Sequence, residues 1–362
     1  MYLATIASLI MAILGVHHAK PIDTFNATLP VRIHHHSVTG PAGLTPAQIK
    51  AAYHLPAAGG KGTIAIIDAY DSRTIGSDLN TFSKQYGLPS CSTTSVTCFE
   101  KHEMSPWTQQ NSSWAIEESL DVEWAHAIAP NAKILLVEAT SDSGTALLQA
   151  VSYAESRPDV VAISMSWGGP EFAGESTYDQ DFVSPHATFF ASAGDSGNGV
   201  DWPAVSPNVI SVGGTTLTMK GTTVLSETAW SGSGGGISAY EPEPSYQAAL
   251  VTSSGKFRAT PDVSYDADPT TGYPIYDSTR YDGQAGWWQI GGTSAGAPQW
   301  AAISTLGTGV TSAKLYHDAQ TSSTIYFRDI VSGTNGSCNF VCQARPGYDY
   351  VTGLGSPITT GF

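Results

Sequence analysis

Apolar positions along this chain gather into short uninterrupted runs. Five of them, "GTIAIIDAY" (62–70), "AKILLVEA" (132–139), "VVAISMSWG" (160–168), "ATFFASAG" (187–194) and "VISVGGT" (209–215), carry few charges and many β-branched residues. Runs of this length without alternation are the pattern of strands buried on both faces of a parallel sheet. Helical patterns fall between several of them, at "WAIEESLDVEWAHAIA" (114–129) and "GTALLQAVSYAESR" (144–157). Strands alternating with helices imply a parallel sheet covered by helices. A further short helix is predicted at "LTPAQIKAAYHLP", with Pro46 near its start. No internal repeat and no clear second domain emerge.

The N-terminus departs from this pattern. In "MYLATIASLIMAILGVHHA" the apolar run Leu3 to Val16 is short for a bilayer span, and its position predicts a secretory signal over residues 1–19. Residues 20–43 are polar, contain Pro and Gly, and include His34 to His36; this reads as a short solvated linker, with a metal-binding tract as the alternative. Residues 44–362 then form one domain.

Composition narrows the partners. The 362 residues include 37 Gly and 13% charged residues, which favours a loop-rich globular enzyme. Sixteen Lys plus Arg against 31 Asp plus Glu give a formal charge of −15, so no basic surface is available for nucleic acid. Such an acidic chain keeps its self-repulsion low at acid pH, where carboxylates neutralise. The four cysteines form two close pairs, Cys91 with Cys98 and Cys338 with Cys342, and two local disulfides are expected in a secreted chain. Asn26, Asn111 and Asn335 each open an Asn-x-Ser/Thr sequon.

Candidate chemistry sits at three places. In "IEESLDVEWAHAIAP" (116–130) helical spacing puts Glu117, Asp121, Trp124 and Ile128 on one stripe, with Ser119, Glu123 and His126 on another. Two acids sharing a face with Trp and Ile are unusual, because buried carboxylates are rare unless paired. The plain alternative is a solvated acidic face that abuts the core. In "SAGDSGNG" (192–199) Asp195 follows a strand, at the end where parallel-sheet enzymes place their chemistry, although an Asx turn would also explain it. In "GGTSAGAPQW" (291–300) Ser294 lies at a small-residue helix start, where an N-cap serine is the ordinary reading. A subtilisin-type Ser-His-Asp arrangement would need a histidine in a motif after the first strand, which itself ends with Asp68. His102 lies in the polar loop "FEKHEMSPW", and His126 and His186 lie in unrelated contexts.

The stretches "EESLDVEWAHAIAPNAKI", "VAISMSWGGPE", "FFASAGDSGNG", "GGTSAGAP" and "FRDI…GYDYVTGLGSP" occur in one order that resembles the sedolisins, or serine-carboxyl peptidases. The resemblance covers residues 44 to 362. It implies a subtilisin-like three-layer α/β fold with a mostly parallel central sheet flanked by helices. It also implies a Ser-Glu-Asp triad in which Ser294 is the nucleophile, Glu117 the base and Asp121 its support, with Asp195 in the oxyanion hole. Trp167 matches a family tryptophan near the acids, with a core aromatic as the alternative, and Asp68 stands where the family often has a supporting glutamate. The same resemblance implies one structural Ca²⁺ held by the carboxylates of Asp329 and Asp349 and the carbonyls of Ile330, Arg345 and Gly347. The family usually has glycine where Arg345 stands. Most members carry a long N-terminal prodomain, whereas about 40 residues precede the catalytic region here. Folding without one, a short segment that suffices, and a truncated sequence all fit that difference.

These readings converge on a secreted serine endopeptidase working at acid pH on protein or peptide substrates. A monomer is expected, with no nucleic-acid partner and no membrane contact after signal removal. Two alternatives stay open: a Ser-His-Asp protease using His102, and a non-catalytic binding protein on a protease fold.

Overall fold

In the computed structural model, which describes residues 21–37, 39–91 and 98–362, the five apolar runs become neighbouring strands. β1 (Arg32–Ser37) stands apart. β2 (Thr63–Ala69), β3 (Phe99–Glu103), β4 (Lys133–Ala139), β5 (Val160–Met165), β6 (Thr188–Ser192) and β7 (Val209–Lys220) are parallel, in the spatial order β7-β6-β5-β2-β4-β3. β8 (Thr223–Ala229) adds an antiparallel edge, and β9 (Val263–Asp266) runs parallel to β7.

Burial on both faces explains the continuous apolar runs. Along β2, Ile64 and Ile66 join the core containing α1 (Pro46–Ala52), α2 (Ile75–Tyr86), α3 (Ser112–Ile128) and α5 (Gly296–Leu306). Ala65 and Ile67 turn to the opposite core, which holds α4 (Gly144–Glu155). A three-layer α/β fold results. α1 begins with the capping box between Thr45 and Gln48. α3 starts two residues before its predicted bound because the Asn111 side chain accepts the N–H groups of Ser113 and Trp114. Among the described residues no helix is long and apolar enough to cross a membrane. The signal-peptide expectation lies outside the described residues. Both expected disulfides are formed.

Three readings are corrected. His102 belongs to β3 and stacks on Tyr153 at 3.7 Å, so it is not in a loop. α3 has no solvated acidic face: Glu118, Glu123 and His126 are as buried as Glu117 and Asp121. The supposed linker is structured from Pro21 to Ser37; its histidines lie in β1, which pairs antiparallel with β11 (Gln284–Gly291), itself in a hairpin with β10 (Tyr273–Tyr281). Of the sequons, Asn335 is buried and donates to the Ser233 carbonyl, while Asn111 caps α3.

Candidate active site

The parallel sheet ends in acids. Period-two alternation points Asp68 of β2 to the same side as Ile64 and Ile66, toward α3. Its direct partner across the ladder is Glu138 of β4, and Glu138's other neighbour is Glu103 of β3. α3 brings Glu117 and Asp121, one turn apart, against Asp68, and brings Glu118 against Glu138 and Asp68. All these carboxyls except Glu103 are buried.

Charge at this end is not balanced. The Lys101 ammonium bonds Asp71, Glu138 at 3.0 Å and the Ser72 carbonyl at 3.1 Å, and lies 3.6 Å from Glu103. Asp71, Glu103 and Glu138 could together reach a metal ion, but that ammonium already sits among them. Among the described residues no basic side chain lies within 4 Å of the carboxyls of Asp68, Glu117, Glu118 or Asp121. Burial, then the neighbouring Asp68 charge, holds both Glu117 and Asp121 well above the usual carboxylate range. Burial and Glu138 do the same to Asp68. Two close carboxyls in a dry setting share protons, because ionising both is expensive.

Ser294 reaches this cluster from the other side. β11 ends at Gly291, Gly292 takes φ 119°, and the short helical turn Thr293–Ala295 leads into α5. A side chain at Gly292 would strike Pro30 O at 2.1 Å and Asp195 Oδ2 at 2.6 Å, so glycine is required. The Ser294 hydroxyl faces Glu117 and draws its proton affinity down, against burial. Neither Ser294 Oγ nor either Glu117 oxygen makes a hydrogen bond of standard geometry, to each other or to any other group among the described residues. The Ser294 carbonyl accepts from Ser166 Oγ at 3.2 Å, and Ser166 also faces Asp121.

Asp195 sits beyond the end of β6. Its Oδ1 accepts from the Thr293 N–H at 2.8 Å and from the Thr293 hydroxyl at 2.9 Å. Its Oδ2 has no hydrogen bond and lies 3.7 Å from Arg32 Nε. Burial pushes Asp195 up to about 6 despite those donors. Trp167 is buried in the α4-side core and donates to the Ile67 carbonyl at 2.9 Å, next to Asp68 in sequence. The histidines lie elsewhere: His126 bonds the Pro89 carbonyl, and none hydrogen-bonds Ser294 Oγ among the described residues.

Glu118, Glu138 and Thr293 were missed as site residues in the sequence. Glu138 had a signal: "IIDA" and "LVEA" end two neighbouring strands with an acid at the same register.

The C-terminal loops bring Asp329 and Asp349 to one region. Asp329 Oδ2 accepts the Gly347 N–H at 3.0 Å, and Asp349 Oδ2 accepts the Arg345 N–H at 3.1 Å. Asp349 also accepts from the Val351 and Thr352 N–H groups and the Thr352 hydroxyl. No ion pair serves either carboxyl among the described residues, since the Arg345 guanidinium stacks on Phe340. Hard oxygen donors without a side-chain cation suit Ca²⁺.

Residues 107–313 match the subtilase family. The chain is 36% identical over 286 residues to kumamolisin of Bacillus sp. (strain MN-32), covering 67% of this chain and 49% of that protein. It is 31% identical over 320 residues to sedolisin of Pseudomonas sp. (strain 101), covering 77% and 53%. It therefore spans about half the length of these curated relatives. Among solved structures, Pseudomonas sedolisin, a serine-carboxyl proteinase complexed with two molecules of pseudo-iodotyrostatin, superposes with a TM-score of 0.73 and 28% identity, over 88% of this chain and 96% of that one. Sphericase, at 18% identity and a TM-score of 0.56, shares the fold.

Proposed function

This chain belongs to the subtilase family, in its sedolisin branch, and from that premise we propose that it is a serine-carboxyl endopeptidase acting at acid pH on protein or peptide substrates outside the cell. The observation that carries the reading is a buried serine facing a buried glutamate where a histidine would otherwise stand.

Glu117 accepts the Ser294 proton as Oγ attacks the scissile carbonyl carbon. Asp121 and Asp68 hold Glu117 in place and share its protons. The oxyanion that forms is met by the Ser294 N–H and by a protonated Asp195, which donates through Oδ2. The proton on Glu117 passes to the leaving amine as the C–N bond breaks, and water repeats the sequence on the acyl-enzyme. Burial holds Glu117 above the usual carboxylate range, so the base is the ionised form that Glu117, Asp121 and Asp68 retain while sharing their remaining protons. At neutral pH an ionised Asp195 opposes the oxyanion.

The loop of Asp329, Ile330, Arg345, Gly347 and Asp349 would hold one structural Ca²⁺, whose charge would offset the two carboxylates there. The disulfide Cys338–Cys342 lies in the same loop region.

Ser294→Ala tests the reading. It should abolish digestion of a denatured protein at pH 4 with the melting temperature retained, whereas His102→Ala should leave digestion intact. Activity surviving Ser294→Ala, or lost on His102→Ala, would overturn it.

A further inference from the structure

The buried acids behind Ser294 do not stop at Asp121 and Asp68. Asp68, Glu138 and Glu103 stand in one register across β2, β4 and β3, and β3 is the last strand of the sheet on that side. Adjacent strands lie about 4.8 Å apart, so these carboxyls form a row from the neighbourhood of Glu117 to the sheet edge. Glu118 of α3 adds to the row, facing Glu138 and Asp68. The row starts dry and ends wet. Asp68, Glu117, Glu118, Asp121 and Glu138 have no exposed surface, whereas the side chains of Lys101 and Glu103 are 22% and 36% exposed.

Lys101 is the cation of this row. Burial works against its charge, but the Asp71 and Glu138 carboxyls outweigh burial and raise its proton affinity. Glu138 Oε1 takes the ammonium at 3.0 Å and the Ser72 N–H at 3.1 Å, while Oε2 has no hydrogen bond. Burial raises Glu138 all the same, with those two donors opposing it. Asp71, the other partner of the ammonium, is also held by Arg73 at 3.2 Å. A cation draws ionisation toward itself. An ionised carboxyl in the row is therefore favoured at Glu138, yet the proposed reaction needs it at Glu117. Asp68 lies between, with Glu138 on one side and Glu117 and Asp121 on the other. Ser294 and Asp195 also face Glu117, and Ser166 faces Asp121.

We propose that Lys101 and Glu138 are positioning residues for the Glu117 base: the ammonium admits one negative charge to the buried acids, and Glu138 competes with Glu117 to carry it. This rests on the peptidase reading above. Neither residue touches substrate, and both act through Asp68. Two opposite consequences follow. Without the ammonium every ionisation in the row is harder, so Glu117 keeps its proton to higher pH. Without the Glu138 carboxyl the ammonium favours ionisation of the acids that remain, so Glu117 gives up its proton at lower pH.

The first test is the pH profile of kcat/KM on a fluorogenic peptide, with the full chain. In Lys101→Met the rising acid limb should move up by about one pH unit, the scale of a unit charge acting across roughly 10 Å of protein interior. In Glu138→Gln it should move down by a similar amount. Lys101→Arg keeps the charge and should reverse most of the Lys101→Met shift. The fall in rate at about 6 should stay in place in all three, because Asp195 is held by Thr293 and Arg32 on the cleft side. The second test needs no activity. In the Ser294→Ala background the Glu117 carboxyl is titrated by carbon NMR, its signal identified by its loss in Glu117→Gln, and its midpoint should move in the same two directions. Limbs and midpoints that stay put in both variants, or move the same way in both, would overturn the proposal. If Lys101→Met does not fold, Glu138→Gln decides alone, and an absent or upward shift overturns it. If the unmodified chain cleaves no peptide while the midpoints move in opposite directions, the peptidase reading fails and the coupling stands.

Discussion

Glu175 offers a test of the acid character of this fold away from the catalytic cluster. It opens the short helical segment Glu175–Phe182 and is buried. Its Oε2 accepts the Phe172 N–H at 2.7 Å, and its Oε1 has no partner. Burial, with Glu171, Glu241 and Asp179 nearby, pushes its carboxyl up to about 8. A carboxyl titrating at about 8 when folded and at 4.5 when unfolded holds its proton more tightly in the folded state. Its stabilisation is complete below about 4.5, falls as pH rises, and is fully lost above about 8. At pH 7 the loss accumulated since pH 4.5 is about 1.4 kcal/mol per pH unit, on the order of 3 kcal/mol. Glu175→Gln keeps an oxygen for Phe172 and removes the ionisation. At pH 4 the variant should match the unmodified chain. At pH 7 it should be more stable by that order, about 6 °C in melting temperature if each kcal/mol shifts it by roughly 2 °C. Calorimetry at both pH values measures this. A melting-temperature gap that is the same at pH 4 and pH 7 would refute the reasoning, because then the carboxyl is not held protonated by the fold.

Catalysis should follow the same direction through Asp195. With its carboxyl at about 6, the oxyanion donor is present below that pH and lost above it, so kcat should fall as pH rises through about 6. A maximum near pH 8 in the rate profile would exclude the assigned base and donor. Calcium binding should stabilise the native state, so a chelator should lower the melting temperature. The shift should vanish in Asp329→Ala, and no shift in the unmodified chain would count against the loop as an ion site.

The central sheet was legible because parallel strands buried on both faces leave an unbroken apolar signature, and β2, β4, β5, β6 and the first half of β7 all carry it. The β10–β11 hairpin carries a different one that went unread: Asp282-Gly283 between two strands, both with positive φ, at 48° and 77°. That dipeptide is a strong hairpin signal. α3 defeated periodicity for a physical reason. A helix whose polar residues all meet other parts of the protein has no solvent side, so its stripe of Ser119, Glu123 and His126 looked like a surface that does not exist. β1 was hidden for another reason. "RIHHHS" has little apolar content, since its place comes from backbone pairing to β11 and not from burial.

The acids proposed for catalysis stood out by spacing, but their environment did not, because Asp68 and Glu138 are brought together by strand register across 70 residues of chain. That register changes what the triad is. Glu117 and Asp121 are two members of a buried carboxyl array that also includes Asp68, Glu118 and Glu138, and Lys101 supplies the one cation bonded to it among the described residues. A single ammonium cannot balance five carboxylates in a dry site, so most of the array must carry protons for the chain to fold. Protonation is then a condition of the architecture before it is a condition of catalysis. Histidine in place of Glu117 would bring a second cation at acid pH and remove one of the acids among which the array's protons are shared. The proposed carboxyl base and the buried acids behind it therefore draw on the same protons.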